Sequence, residues 1–334
     1  MHFRFAAWVL TGSMLSLAAV AQQTPNAPGA LPPTVAAPTA PPANPFPPVN
    51  PKFFTATSPS VDTVNAFLTQ LWGFDPNRIW SVAAILSTNA PGVSKIVVFV
   101  ADKTQAGKSQ QTVFFTTPDG KHAIADNVIE FGAKPFEGTR KVLQERADGA
   151  ARGAAGKELL IVEFSDLQCP HCKDAQPIMD QIATDFPQAH VVFQNFPLVE
   201  IHPQAFQAAA VGMCVRKAKG DEAFFKYAQS VFDAQGALTD ADATTTLTTA
   251  VTKAGGEPAS VMACSTEKAT TEALNASMQL AKDIGVDSTP MLFVNGQPIP
   301  LGNVPYEVLK KIIVYRAAQD GVAVRLQPSL KTLK

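Results

Sequence analysis

The stretch IVEFSDLQCPHCKDAQPIMD, Ile161 to Asp180, places two cysteines two residues apart, between an apolar run and a helical pattern. The letters ELLIVEF, from Glu158 on, predict a buried strand, and the pattern after Pro170 predicts a helix that ends near Phe186. The letters HVVFQNF then predict a second strand. Strand, helix and strand in this order form a β-α-β unit, with the cysteine pair where the first strand leads into the helix.

The chain beyond this unit completes the predicted fold class. A long helical stretch is predicted from about Pro203 to Ile284, and MLFVNG and QPIPL predict a strand and its hairpin partner. PYEVLKKIIVYRAA has the pattern of a closing amphipathic helix. We therefore predict an α/β architecture, a thioredoxin fold over residues 158–325 with a helical insertion at about 203–284. A small α+β domain is predicted before it.

The motif Cys169-Pro170-His171-Cys172 carries the predicted chemistry. Cys169 falls at the predicted helix N-terminus, where unpaired N–H groups and the helix dipole favour a negative charge and so lower the pKa of a thiol. Pro170 suits the first helical turn. His171, as an imidazolium or a hydrogen-bond donor, is expected to stabilise the thiolate further. Cys172, one turn on and more buried, is expected to be the resolving thiol.

A metal site and an inert structural disulfide are the alternatives for this pair. A structural zinc ion needs four ligands, usually from two such pairs. The other two cysteines, Cys214 and Cys264, lie fifty residues apart in predicted helices. Two-residue spacing at a strand–helix junction serves an inert disulfide poorly. We therefore predict a redox-active Cys169–Cys172 disulfide, with no metal and no cofactor.

The segment VEFSDLQCPHCKDAQPIMDQI resembles the active-site segment of the DsbA-like thioredoxin-fold oxidoreductases, whose oxidising members have Cys-Pro-His-Cys. The resemblance implies that Glu163 is the buried acid that assists proton transfer at Cys172. Pro177 matches the proline that kinks the active-site helix. DSTPMLFVNGQPI is similar to the Thr-cisPro loop of the family, which implies a cis bond at Thr289–Pro290, facing the cysteines and contributing to substrate binding.

Three features differ from DsbA itself. HVVFQNF has no lysine, whereas DsbA has one near its buried acid on this strand. Threonine before the cis proline is closer to the isomerase-type members DsbC and DsbG. The segment VFFTTPDGKHAIADNVIEF is similar to the hairpin of the N-terminal dimerisation domain of DsbC and DsbG, where a connector helix also follows.

The N-terminal region indicates export. MHFR is positively charged, an apolar run follows, and AVA ends at Ala21, which together match a cleaved secretory signal over residues 1–21, with a membrane anchor as the alternative. Residues 22–52 are almost wholly Pro, Ala, Thr and Asn, with too little apolar surface to fold, and are predicted to be a disordered linker.

Residues 53–135 and 136–157 are predicted to form the small α+β domain and a connector. In the domain a helix follows a Ser58-Pro59 cap signal, KIVVFVAD predicts a strand, and the next segment predicts a hairpin that turns near Asp119-Gly120. The first half of the connector is charged and prone to form a helix. Its Gly/Ala-rich second half is predicted to be flexible.

An even number of cysteines in an exported chain favours disulfides, and the four cysteines allow three pairings on paper. DsbA-like relatives carry a cysteine pair at the places of Cys214 and Cys264, which implies a structural disulfide between them. Closing a fifty-residue loop stabilises a fold by about 4 kcal/mol on the chain-entropy estimate. A second redox-active pair is the alternative.

Two further polar residues lie near the motif. His202, before Pro203, is expected to be a capping or core residue. Asp166 is expected in the loop above the site, either solvated or weakly opposing the thiolate.

These features predict an exported thiol:disulfide oxidoreductase of the periplasm or cell envelope, which transfers a disulfide to reduced or misfolded exported proteins. A DsbB-like or vitamin-K-epoxide-reductase-like membrane protein is the expected redox partner. The alternatives are a disulfide isomerase or reductase that dimerises through residues 53–135, and a non-catalytic envelope adaptor. A formal net charge of −1 gives no indication of a nucleic-acid partner.

Overall fold

The computed structural model describes residues 44–105, 108–125 and 128–324. The predicted signal peptide and the predicted linker as far as residue 43 lie outside these described residues. In the rest of the linker, Pro51–Phe53 forms a short 3-10 helix capped by Asn50. Within the described ranges, we find no helix that combines the length and the apolar character needed to cross a membrane.

The N-terminal domain begins with helix α1, Val61–Trp72. Its N-cap is Ser60, whose hydroxyl accepts a hydrogen bond from the Thr63 N–H at 3.1 Å. The predicted cap at Ser58-Pro59 is wrong by two residues, because the helix begins only after Ser60. Ser60 has the extended backbone from which a short hydroxyl side chain reaches the first-turn N–H groups.

Helix α1 packs on an antiparallel sheet whose strands follow one another in chain order. They are β1 (Arg78–Ser87), β2 (Ser94–Asp102), β3 (Ser109–Thr116), β4 (His122–Ile124) and β5 (Val128–Glu130). Phe67 and Leu68 of the helix are buried against Ile85 and Ile96 of the first two strands. A helix on one face of an antiparallel sheet is the predicted α+β arrangement.

Strand β1 was not predicted from the sequence. Its buried residues run consecutively from Val82 to Ile85 instead of alternating with exposed ones. The cause is a register shift between Val82 and Ala84, a β-bulge that places neighbouring side chains out of the two-residue period.

The second sheet belongs to the thioredoxin fold. Its strands are β6 (Ala150–Gly153), β7 (Leu160–Ser165), β8 (His190–Asn195), β9 (Met291–Val294) and β10 (Gln297–Pro300), in the order β10-β9-β7-β8-β6. Strands β7 and β8 are parallel, and the other neighbours are antiparallel. Helices α3 (Pro170–Asp185) and α9 (Tyr306–Gln319) share one hydrophobic cluster with this sheet, and α2 (Glu137–Arg146) contributes to another.

Strand β6 corrects the prediction of a flexible second half of the connector. Ala150–Gly153 pairs with β8 as an edge strand of the second sheet. A Cβ on Gly149 would meet the Phe193 carbonyl oxygen, and one on Gly153 would meet the Ala189 carbonyl oxygen, in both cases far inside contact distance. The glycines are therefore required by the close approach of two backbones.

The insertion between β8 and β9 is helical, as predicted. It contains α4 (Ala205–Lys219), α5 (Asp221–Asp233), α6 (Ala243–Lys253), α7 (Pro258–Ser265) and α8 (Lys268–Asp283). Phe224, Tyr227 and Phe232 are fully buried in its core. A disulfide joins Cys214 of α4 to Cys264 of α7, the pair implied by the family resemblance.

The N-terminal domain contacts helix α9 through polar groups. The Tyr315 hydroxyl donates to the Thr69 carbonyl at 2.6 Å. The buried guanidinium of Arg316 donates to both the side-chain and the backbone oxygen of Gln70, each at 3.0 Å, and lies 4.9 Å from the ring centre of Phe136. These contacts place the domain on the helix that closes the thioredoxin fold.

Candidate active site

Cys169 is the N-cap residue of α3, as the sequence predicts. It is 4% exposed, and its N–H donates to the Asp166 carbonyl at 3.1 Å. A hydrogen bond from the Cys172 thiol, assisted by the backbone N–H groups of Cys172 and His171, lowers the pKa of Cys169 to about 5. Cys169 is therefore a thiolate at neutral pH, the form that attacks disulfides.

Cys172 lies one turn further on and is fully buried. Its sulfur accepts a hydrogen bond from the Asp166 N–H at 3.3 Å. Burial, the bond to Cys169 and the nearby Glu163 carboxyl all raise the pKa of Cys172, so this residue keeps its proton. The two cysteines are not bonded to each other in the structure.

Glu163 lies on β7 and is 2% exposed. Burial raises the pKa of its carboxyl to about 7. The Gln176 side-chain amide donates to Glu163 Oε1 and to the Cys172 carbonyl, both at 3.0 Å. The buried acid is thus bonded to a neutral amide of α3. Strand β8 has no lysine where DsbA has one near its buried acid.

The site residue Gln176 was not predicted from the sequence. It follows Cys172 by four residues, and residues at this spacing lie on the same face of a helix. A polar side chain on the helix face that carries the buried cysteine is the sequence signal that could have identified it.

We predict that Glu163→Gln stabilises the folded protein at alkaline pH. The Glu163 carboxyl takes up its proton with a pKa of about 7 when folded, against the ordinary 4.5 in the unfolded chain. The free-energy cost of ionising the buried Glu163 carboxyl is therefore absent below pH 4.5 and grows as the pH rises to about 7. Urea unfolding at about pH 8 should show the variant more stable than the wild type by about 3 kcal/mol.

The control for this prediction is pH itself. The stability difference between the Glu163→Gln variant and the wild type should shrink to its pH-independent remainder at about pH 4. A difference that stayed constant from about pH 4 to about pH 8 would show that Glu163 does not titrate as described.

Pro170 and His171 are exposed at the start of α3. Pro170 occupies the first turn, and His171 contributes its backbone N–H to the stabilisation of the Cys169 thiolate. The expectation that the His171 imidazole stabilises the thiolate stays a prediction. Pro177 lies inside α3.

The Thr289–Pro290 peptide bond is cis and directly precedes strand β9. Its Thr289 carbonyl oxygen lies 3.8 Å from the Cys169 sulfur, and Pro290 is buried. Thr289, 120 positions after Cys169 in the chain, thus lies beside the attacking sulfur. Their role in binding substrate stays a prediction.

Asp166 is not solvated. Its side chain is fully buried, and it accepts hydrogen bonds from the Leu198 and Gln168 N–H groups at 2.8 and 2.7 Å. His202 Nδ1 lies 2.8 Å from Asp166 Oδ2. The two residues therefore form a pair that ties the loop before Cys169 to the start of the insertion, which corrects the expectation for Asp166.

The fold and the site together define a thioredoxin-fold domain whose cysteine pair is arranged for thiol–disulfide exchange. A stable thiolate begins a helix, a buried thiol and a buried acid lie behind it, and a cis proline lies beside it. The sequence model of the thioredoxin family matches residues 146–314, half of the chain. The chain belongs to the thioredoxin family, and the fold class predicted from the sequence is confirmed.

Curated relatives match over a short region. The chain is 34% identical over 92 residues to the Na(+)/H(+) antiporter NhaA 1 of Salinispora arenicola, which is 27% of this chain and 14% of the antiporter. It is 33% identical over 88 residues to NhaA 1 of Mycolicibacterium vanbaalenii, which is 26% of this chain and 14% of that protein. The matched region is thus a small part of these relatives.

Solved structures of similar architecture are also found. A periplasmic thioredoxin-like protein of Salmonella enterica serovar Typhimurium is 22% identical with a TM-score of 0.46, over 54% of this chain and 96% of that chain. The catalytic domain of Proteus mirabilis ScsC is 21% identical with a TM-score of 0.45, over 54% and 98%. BdbD from Bacillus subtilis is 20% identical with a TM-score of 0.44, over 51% and 93%.

Proposed function

We propose that the protein is an exported thiol:disulfide oxidoreductase that transfers the Cys169–Cys172 disulfide to cysteines of other exported proteins. The observation that supports this most directly is the opposite behaviour of the two thiols. The pKa of Cys169 is lowered to about 5, whereas that of Cys172 is raised. A stable thiolate favours the reduced form of the protein, and this makes its disulfide a stronger oxidant towards substrates.

The proposed reaction begins with the oxidised protein. A substrate thiolate attacks the Cys169 sulfur, the Cys169–Cys172 bond breaks, and Cys172 leaves with the electron pair. Because Cys172 favours its protonated form, it takes up a proton, and Glu163, with a pKa of about 7, is the nearby acid that can supply it at neutral pH. The product is a mixed disulfide between Cys169 and the substrate.

A second substrate thiolate then attacks the substrate sulfur of the mixed disulfide. Cys169 leaves as a thiolate, the substrate gains a disulfide, and the protein is left as a dithiol. Low thiol pKa makes a good leaving group, so this step is favoured by the same helix N-terminus. The reverse attack, by the Cys172 thiolate on Cys169, would release the substrate unchanged.

Export is supported by two features. Over residues 1–21, a positively charged start is followed by an apolar run and then by small residues, which is the order of a secretory signal. The Cys214–Cys264 disulfide is of the kind that persists in oxidising compartments such as the periplasm. The substrates we propose are reduced or misfolded exported proteins, and we propose a DsbB-like or vitamin-K-epoxide-reductase-like membrane protein as the reoxidant.

The test is the equilibrium of the protein with glutathione. An oxidase should have a reduction potential nearer that of DsbA, about −120 mV, than that of thioredoxin, about −270 mV. The pre-oxidised protein should also oxidise an unfolded, reduced substrate stoichiometrically. A potential in the thioredoxin range, with no net oxidation of the substrate, would exclude the oxidase proposal.

A dimeric isomerase is the second candidate, and one feature of the N-terminal sheet favours it. Phe115, Ile124 and Val128 lie directly across from one another on β3, β4 and β5, and their side chains are 38%, 37% and 64% exposed. Such an apolar row is suited to contact with a second copy of residues 53–135.

The dimer is tested by molar mass. Light scattering should give twice the chain mass for the wild type and a monomer for Ile124→Lys, because a charge in the row would have to be buried in the interface. The matched control is Lys121→Ala, which changes an exposed residue of the turn between the same strands. A wild-type monomer at high concentration would exclude the dimeric isomerase.

A further inference from the structure

The loop that leads to Cys169 is held by the helical insertion. Gln235, in a short 3-10 helix directly after α5, points its side-chain amide at this loop. Its Nε2 donates to the Leu167 carbonyl at 3.0 Å and to the Cys169 carbonyl at 2.9 Å. One side chain thus bonds the loop on both sides of residue 168, from a position 66 residues beyond Cys169.

Gln168, in the loop, also bonds the insertion through its side chain. The Gln168 Nε2 donates to the Leu238 carbonyl at 3.0 Å, and its Oε1 accepts from the Gln204 N–H at 2.7 Å. Two glutamines therefore cross between the loop and the insertion in opposite directions, and each uses its amide for two bonds.

The contact between Gln235 and the loop depends on the two N–H donors of the Gln235 amide. The Cys169 carbonyl already accepts from the Cys172 and Lys173 N–H groups of the first helical turn, at 3.1 and 3.2 Å. The Gln235 amide adds a third donor to this oxygen. Its two hydrogens match two carbonyls, a geometry that neither an ionised carboxylate nor a thioether can reproduce.

We propose that Gln235 is a positioning residue, through which the helical insertion holds the attacking sulfur of Cys169 at the N-terminus of α3. The inference rests on the proposed disulfide exchange at Cys169. Gln235 bonds the backbone of Cys169 and does not touch the sulfur. Its effect is to fix the N-cap backbone, so that the thiolate stays within reach of the N–H groups of His171 and Cys172.

The test uses Gln235→Met, which keeps the length of the side chain and removes both donors, and Gln235→Glu, which keeps its shape and adds a negative charge. The readout is the pH at which the Cys169 thiolate forms, followed by its ultraviolet absorbance. Gln235→Met should raise this midpoint by about half a pH unit, a threefold change in the thiolate-to-thiol ratio, and Gln235→Glu should raise it more.

The matched control is Gln229→Met. Gln229 is an exposed glutamine of α5 whose side chain bonds Asp233 of the same helix. This variant should leave the midpoint and the glutathione equilibrium unchanged, whereas Gln235→Met should make the disulfide less oxidising. Gln168→Met, which removes the reciprocal bonds, provides a second test and should shift the midpoint in the same direction.

A wild-type midpoint in folded Gln235→Met would overturn the proposal. If Gln235→Met does not fold, an unchanged midpoint in Gln235→Glu, which also loses the two donors, would overturn it instead. This titration needs no substrate, so its result is separate from the proposed function. Absence of disulfide transfer by the wild type would refute the function, whereas normal transfer with an unshifted Gln235→Met midpoint would refute only the positioning role.

Discussion

Replacing Cys172 with alanine should trap substrate proteins on Cys169 as mixed disulfides, and replacing Cys169 with alanine should trap none. The trapped bond forms when the Cys169 thiolate attacks a disulfide of an exported protein and releases the other sulfur of that disulfide as a thiolate. Cys169 is the low-pKa thiol beside the cis proline, whereas Cys172 is fully buried and keeps its proton. Either change should lower disulfide transfer by at least about two orders of magnitude, because no other nucleophile can replace the missing sulfur in the covalent step.

The measurement is non-reducing electrophoresis of exported proteins from cells that produce each variant. Bands that contain the Cys172→Ala protein should shift to higher mass and collapse on reduction. The double variant Cys169→Ala, Cys172→Ala is the control for adducts through other sulfurs. Adducts in the Cys169→Ala variant, or none in Cys172→Ala, would contradict the assignment of the attacking cysteine and would favour a non-catalytic adaptor.

Removing the Cys214–Cys264 disulfide should lower the free energy of unfolding by about 4 kcal/mol, by the loop-closure entropy of a fifty-residue loop. The bond joins α4 to α7 on the buried side of the insertion, where Cys214 is 2% exposed. The change tested is the double variant Cys214→Ala, Cys264→Ala, which removes both sulfurs of the bond and so leaves no unpaired thiol in the insertion. Chemical unfolding of the wild type and the variant measures the loss.

The same double variant separates a structural disulfide from a second redox pair. A structural bond predicts that the variant transfers disulfides at the wild-type rate when it is folded. When Cys169 and Cys172 are already reduced in both proteins, a stronger reductant should destabilise the wild type and leave the variant unchanged. Lost transfer in a folded variant, with equal stability, would mean that the pair takes part in the redox chemistry.

The parts of the site that the sequence predicted correctly are those with local signals. Cys169 and Cys172 lie at a strand–helix junction, and that junction alone places one thiol at a helix N-terminus and the other one turn on. The threonine–proline pair could be identified because a cis proline belongs to a recognisable motif. The insertion was predicted as one long helical stretch, which the structure divides into the five helices α4 to α8.

The contacts that the sequence could not predict join distant parts of the chain. Asp166 and His202 are 36 positions apart, and Cys169 and Gln235 are 66 apart. Whether an aspartate in a loop is solvated or buried depends on which segment folds over it. Strand β6 was missed for a related reason, since glycine and alanine signal flexibility locally, but here glycine permits close packing against β8.

The central claim is that Cys169 is a thiolate held by the start of α3. The most direct test is the pH titration of its thiolate absorbance in the reduced protein, with Cys169→Ala as the blank. We predict a midpoint near pH 5. A midpoint at or above the unperturbed thiol value of about 8.5 would contradict it.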